Sequence, residues 1–117
     1  MHNFKKLKIW QEGITIVSDS YRLTKTFPDY EKFGLVSQMN RCAISIPSNI
    51  AEGSSKSTDK HFNKYLEDSL GSAFEWETQL IVAFYENYLS EEKFKELEQK
   101  IKQIQKMISR LQSGLKL

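Results

Sequence analysis

The side chains able to do chemistry are few and poorly placed for it. Cys42 is the one cysteine among 117 residues, so no disulfide can form within the chain, and its neighbours supply neither a CxxC nor a cysteine-histidine cluster of zinc spacing. A nucleophilic thiol needs a base beside it; Cys42 stands between Arg41 and Ala43 in an apolar run, where small thiols pack rather than react. His2 and His61 are the only histidines. A di-iron helical bundle needs Glu-x-x-His on each of two helices, and the residue three before His61 is Thr58, so that ligand set is missing and His61 reads as a solvated surface residue. No GxxxxGKS or GxxxxGKT loop, GxGxxG or HExxH occurs. The expectation is a chain with no catalytic, cofactor-binding or metal-ligating residues and no small-molecule substrate.

One polar constellation stands out. Gln38, Arg41, Ser45, Asn49 and Glu52 recur at three- and four-residue steps, a stripe along one helix, and Ser69, Ser72, Glu75 and Gln79 repeat the pattern further on. Two readings stay open. In the first, Arg41 and Glu75 form a partly buried charged pair that fixes register. In the second, the stripe, with Glu75, is a recognition groove for a partner.

The elements that must carry these residues are helices. Leu7, Trp10, Ile14, Val17, Tyr21 and Thr24 form one apolar seam, ended by Pro28. A second helix runs from about Lys32 to Glu52 on Leu35, Met39, Ala43, Ile46 and Ile50, with an interior proline, Pro47, that predicts a kink. Gly53 to Ser57 reads as a flexible linker. Thr58 or Asp59 can cap a third helix whose seam is Phe62, Leu66, Ser69, Ala73, Trp76, Leu80 and Ala83, stopping near Asn87. Ser90, Glu91 and Glu92 cap and charge a fourth, on Phe94, Leu97, Ile101, Ile104, Ile108, Leu111 and Leu115. No run alternates with period two. Connections this short predict one all-α domain over residues 1–117, an antiparallel up-down-up-down four-helix bundle. At this length, folding buries roughly two thirds of the extended chain's surface, enough for a core without staples.

Two helices carry more apolar surface than one seam needs. Beside the first seam runs a row with Ile9, Gly13, Ile16, Leu23 and Phe27, and the third helix adds Leu70, Phe74, Ile81, Phe84 and Tyr85. Contiguous apolar patches of that size are rare on monomers, so Ile9, Ile16, Leu23, Phe27, Leu70, Phe74, Ile81 and Tyr85 are the expected subunit interface of a homo-oligomer.

Charge is close to balanced at +2, too little to signal a nucleic-acid binder alone. Residues 1–60 hold nine Lys and Arg against six acids, residues 61–117 eight against nine. The amino terminus has basic residues but no apolar run behind them, and no segment reaches the eighteen or so apolar residues of a membrane span. With the single cysteine, that predicts a cytoplasmic protein with no membrane partner.

The run Gln38-Met39-Asn40-Arg41-Cys42-Ala43-Ile44-Ser45-Ile46-Pro47-Ser48-Asn49-Ile50-Ala51-Glu52-Gly53, preceded by Phe27-Pro28, Glu31 and Gly34-Leu35, resembles the ribosomal-RNA intervening-sequence protein family of four-helix bundles. Trp10-Gln11, Phe62, Leu66, Gly71-Ser72, Glu75, Thr78-Gln79-Leu80 and Tyr88-Leu89 extend the resemblance over almost the whole chain. It implies a bacterial cytoplasmic protein, a ring-shaped homopentamer and no enzymatic activity. Its founding members are encoded inside genes for 23S ribosomal RNA, and a related branch serves diversity-generating retroelements as an accessory protein that binds RNA and the reverse transcriptase. The family's recurrent polar residues fall on Gln38, Arg41, Ser45, Asn49, Glu52 and Glu75. Two departures remove positive charge: Arg41-Cys42 stands where a basic pair is usual, and Ser55-Lys56 where Gly-Arg is. The remaining candidates for RNA contact are Lys5, Lys6, Lys8, Arg41 and Lys56.

Two functions follow as expectations. One is a homo-oligomeric scaffold for structured RNA or a ribonucleoprotein, in which modest charge per subunit adds up around a ring. The other is a protein-protein interaction module with no nucleic-acid role, displaying Tyr30, Phe33 and Tyr88.

Overall fold

Leucine, isoleucine and alanine at three- and four-residue steps leave each segment one way to hide its apolar face, which is to coil and pack. The computed structural model describes residues 3–117, so His2 lies outside the described residues. It holds four α-helices, α1 (Lys8–Thr24), α2 (Leu35–Ser54), α3 (Asp59–Tyr85) and α4 (Glu91–Ser113), with single 3-10 turns at Phe4–Lys6 and Asp29–Glu31 and no strand among the described residues. Both expected caps form: Thr58 Oγ1 accepts from the amide of His61 at 3.2 Å and Ser90 Oγ from that of Lys93 at 3.1 Å. Each relieves one of the orphan amides of a first turn.

Each helix packs against its sequence neighbours, and α1 closes on α4. The contacts set the register. On α1 and α2, Gly13 meets Pro47 while Ser20 bonds Asn40. On α2 and α3, Cys42 meets Ser72 while Gly53 meets Tyr65. On α3 and α4, Phe84 stacks on Phe94 at 4.4 Å while Asn63 bonds Gln112. In every pair, rising numbers on one helix meet falling numbers on the next. The result is a rod of 44 × 24 × 20 Å.

The core is filled by Trp76, Phe62, Met39 and a column of Ile16, Ile46, Ile50, Leu66, Leu80, Ile101, Ile104 and Ile108, all fully buried. A polar thread runs through it. Trp76 Nε1 donates to Ser20 Oγ, Ser20 to Asn40 Oδ1, and Asn40 Nδ2 to Thr24 Oγ1. Buried donors left unpaired are costly, so three helices are tied by groups that have no better partner elsewhere. Beyond the end of α1, Tyr88 donates to Glu31 Oε2 at 2.8 Å and shares a hydrogen bond with Tyr30 at 3.0 Å, while Glu31 Oε1 accepts from Leu35 N. The bond to Tyr30, desolvation and the Glu31 carboxylate push the Tyr88 phenol above its ordinary range. Glu31 thus starts α2 and latches it to the end of α3.

Three expectations need correcting. The buried face of α1 is turned from the expected one: Ile9, Ile16, Leu23 and Phe27 are buried in this chain's own core, and of the expected seam Thr24 is buried and Leu7, Trp10 and Val17 pack against the core's edge, whereas Ile14 and Tyr21 are each 43% exposed. Ile9, Ile16, Leu23 and Phe27 therefore cannot form a subunit interface. The reason is Gly13 and Ser20, which lie in the same buried row: Gly13 lets Pro47 approach so closely that a Cβ there would stand 3.2 Å from Pro47 Cβ, and Ser20 is bonded on both sides. Judged by hydrophobicity alone, that row looks like the weaker one. Second, Gly53 and Ser54 are not a linker but the buried last turn of α2. Third, the Arg41–Glu75 pair does not form. Both side chains are exposed, and no ion pair within 4 Å joins them among the described residues.

Candidate nucleic-acid interface

Gln38, Arg41, Ser45 and Glu75 do share a shallow hollow of about 250 Å3 with Cys42 between α2 and α3. Asn49 and Glu52 lie farther along α2, outside it. In and beside the hollow the polar groups turn back on α2 itself: Ser45 Oγ donates to the Cys42 carbonyl at 2.6 Å and, just outside it, Asn49 Nδ2 to the Ser45 carbonyl at 2.9 Å. They bind the helix turns around Pro47, whose missing amide weakens the ladder there, and Ser69 adds a bond to the Ile46 carbonyl. Cys42 Sγ donates to the Ser72 carbonyl at 3.0 Å. Burial, then the charge of Glu75, raise its pKa from 9.0 to about 12. A thiol held protonated is a poor nucleophile, so Cys42 is poorly suited to attack a substrate.

The cations are arranged with more purpose. The register puts the start of α1, the α2–α3 turn and the end of α4 at one end of the rod. Divided at Gly13, Ile46, Gly71 and Ile104, the half at that end has nine Lys and Arg against five acids, and the other half eight against ten. Pairing is still more one-sided. Every ion pair within 4 Å among the described residues lies in the other half: Asp19 with Arg22 and Lys100, and Lys93, Lys95 and Lys102 with glutamates of their own helix. Lys5, Lys6, Lys8, Lys60, Lys64, Lys106, Arg110 and Lys116 are exposed, with no carboxylate partner within 4 Å among the described residues. Lys56 rests over the Tyr65 ring at 5.1 Å, a contact that orients the ammonium without neutralising it. Screening acts over about 10 Å at 0.1 M salt, so the acids at the far end of a 44 Å rod do not cancel this charge.

The sequence profile of the 23S rRNA-intervening sequence protein family matches residues 5–110. The chain belongs to that family. Among solved structures it is similar to a protein of unknown function from the S23 ribosomal protein family of Bacteroides thetaiotaomicron. The two share 18% identity at a TM-score of 0.81, over 91% of this chain and 99% of the other. At that identity the likeness shows the fold. Comparison with curated proteins gives no match.

Of the residues expected to touch RNA in this intervening-sequence protein, Lys5, Lys6, Lys8 and Lys56 meet at the basic end, and Arg41 lies apart on the middle of α2. The structure adds Lys60, Lys64, Lys106, Arg110 and Lys116 to the basic end, which the sequence reading does not single out. Their signal is positional, because cations at the start of one helix and the end of the next become neighbours once the two run against each other. Among the described residues, no group of three His, Cys, Asp or Glu could hold a metal, and no helix is long and apolar enough to cross a membrane. Two apolar surfaces remain uncovered. One is the outward row of α3 with Phe74, Val82 and Tyr85, flanked by the half-buried Leu70 and Ile81; the other is a charge-free hollow between α1 and α2 lined by Trp10, Ile14, Val17, Ile44, Pro47, Ser48 and Ala51.

Proposed function

We propose that this protein is a non-catalytic, self-associating scaffold that binds structured RNA or a ribonucleoprotein through its basic end. The observation that carries the reading is the set of nine cations gathered at one end of the rod, none of them in an ion pair within 4 Å among the described residues, while five of the eight in the other half are paired and Lys25, Lys32 and Arg41 are not. Each phosphate contact releases condensed counterions, and cations without internal partners have no ion pair to break when they bind. The family's description, which ties these proteins to 23S rRNA, supports the same partner class.

Self-association rests on the two separate apolar surfaces. A patch on α3 facing a different patch between α1 and α2 is a heterologous contact, the kind that closes into a ring when the rotation fits. The homopentamer and the cytoplasmic setting implied by the family resemblance belong to this proposal. A ring would repeat the basic end several times on one side and multiply weak contacts into useful affinity.

Fluorescence polarisation with a structured RNA at two salt concentrations tests the reading. Binding that weakens steeply with salt is expected, and absent or salt-independent binding overturns it. The competing reading, a protein-protein module, is favoured by Phe33, Tyr30 and Tyr85, which are 90%, 78% and 76% exposed. Pull-down after thorough nuclease treatment separates the two, since only a protein partner survives it.

A further inference from the structure

Phe33 is the most exposed large hydrophobic side chain among the described residues. It does not stand on a featureless surface. With Tyr21 and Ile44 it lines an open groove of about 510 Å3 between α1 and the start of α2, shared with Lys32, Arg41, Ser37 and Asn40. The lining holds two aromatic rings and two cations but no carboxylate. Among the described residues neither Lys32 nor Arg41 has an ion-pair partner within 4 Å, and Lys32 Nζ lies 5.6 Å from the Phe33 ring centroid. The amide of Asn40 is already spent on Ser20 and Thr24. Among the described residues the exposed Ser37 hydroxyl has no hydrogen-bond partner, which leaves it to bond a ligand.

The charge distinguishes this groove from its neighbour. The hollow below it, sharing only Ile44, has Trp10, Ile14, Val17, Pro47 and Ala51 and no charged residue, which suits another protein surface. A protein docked on the Phe33 groove would bury two cations unless it brought acids to meet them. An unpaired nucleotide brings what the groove lacks: a flat ring for the aromatics and a phosphate for the cations. Stacking of this kind tolerates any base, since every base has a π-face.

We infer that the Phe33 groove takes an unpaired nucleotide of the bound RNA, its base against Phe33 and Tyr21 and its phosphate against Lys32 and Arg41. The inference rests on the RNA reading above and adds a preference that the basic end cannot supply. The groove lies at the start of α2 and Lys56 just past its end, about 30 Å apart for twenty helical residues. Paired stem would lie along the basic end and unstacked strand in the groove, either on one subunit or across neighbouring copies.

The test compares two labelled hairpins on the full chain. Both have the same stem of about 16 base pairs; one is blunt and the other carries a single-stranded extension of about six nucleotides, within the range one stacking groove accommodates. The wild type is expected to bind the extended hairpin about tenfold more tightly. Phe33→Ala should bring the two to parity without changing affinity for the blunt form, and Phe33→Trp should keep the preference. The side chain is exposed, so folding is not at stake. Lys60→Ala with Lys64→Ala should weaken both hairpins alike. Equal affinity of the wild type for the two hairpins, or a preference that survives Phe33→Ala, overturns this inference and leaves the RNA reading standing. So does a Phe33→Ala variant that keeps the preference but changes oligomer size in light scattering, which would make the groove a contact between copies. No binding of either hairpin overturns both.

Discussion

The indole N–H of Trp76 donates to the Ser20 hydroxyl at 3.0 Å, across the bundle from α3 to α1, and the Ser20 hydroxyl in turn donates to Asn40 Oδ1 on α2. Trp76 and Ser20 are both fully buried, so neither can fall back on water. Ser20→Ala leaves the buried indole donor stranded, while Asn40 Oδ1 keeps its contact with Thr24 Oγ1, a penalty of about 1–3 kcal/mol for a buried unmade bond. Urea denaturation should show a lower midpoint with an unchanged slope. Trp76→Phe removes the donor along with the need for an acceptor, so the double variant should cost less than the two single ones added together.

Two glycines on neighbouring helices should respond oppositely to the same substitution. A Cβ at Gly53 would lie 2.7 Å from Tyr65 Cβ and 3.0 Å from Phe62 Cδ1, whereas one at Gly71 meets nothing within 4 Å. Tyr65 Cβ is fixed to its backbone and cannot swing aside. Gly53→Ala should therefore push α2 from α3 and destabilise by about 1–3 kcal/mol. Gly71→Ala, exposed inside a helix, should stabilise by about 0.5–1 kcal/mol, because alanine has less chain entropy to lose. Thermal melts of the two variants should move in opposite directions by several degrees.

Helix content and the α3 and α4 seams were readable because Phe62, Leu66, Trp76 and Ile101 are large, apolar and in phase. The α1 face was misread because periodicity weighs side chains one at a time. Gly13 earns its buried place from Pro47 on the next helix and Ser20 from Trp76 two helices on, and neither partnership leaves a mark in local sequence. The candidate site divides in the same way. Lys5, Lys6 and Lys8 announce themselves as a run, but Lys60, Lys64 and Arg110 are scattered through seams that look like ordinary solvated faces. They become one surface only through the pairing of α3 with α4, seen in Asn63 meeting Gln112.

Burial and the nearby charge of Glu75 hold the Cys42 thiol protonated, with its pKa raised from 9.0 to about 12. The folded state keeps a proton that the unfolded state gives up above pH 9. By linkage, the stability this thiol contributes is complete below pH 9 and drains away as pH climbs from 9 toward 12. Reaction with a thiol reagent at pH 8 should be slow in the folded chain and fast in denaturant. Glu75→Gln removes one of the raising causes and should speed the folded-state reaction. Prompt modification of the native protein would show that Cys42 is neither sealed nor held protonated.

Salt dependence gives the sharpest reading of which cations touch phosphate. The logarithm of RNA affinity falls with the logarithm of salt concentration in proportion to the phosphates neutralised, about 0.7 to 0.9 per contact. Lys60→Ala, Lys64→Ala and Arg110→Ala together should reduce that slope by about 2 to 3. A matched triple at the other end, Lys93→Ala, Lys95→Ala and Lys102→Ala, removes the same charge from residues already bound to Glu96, Glu91 and Glu98. Each frees a glutamate as it goes, so a purely long-range effect of net charge would weaken binding in both triples. Loss of slope confined to the first triple places the phosphates on the basic end. Equal loss in both would mean that RNA responds only to total charge, and that the separation of paired from unpaired cations has no part in binding.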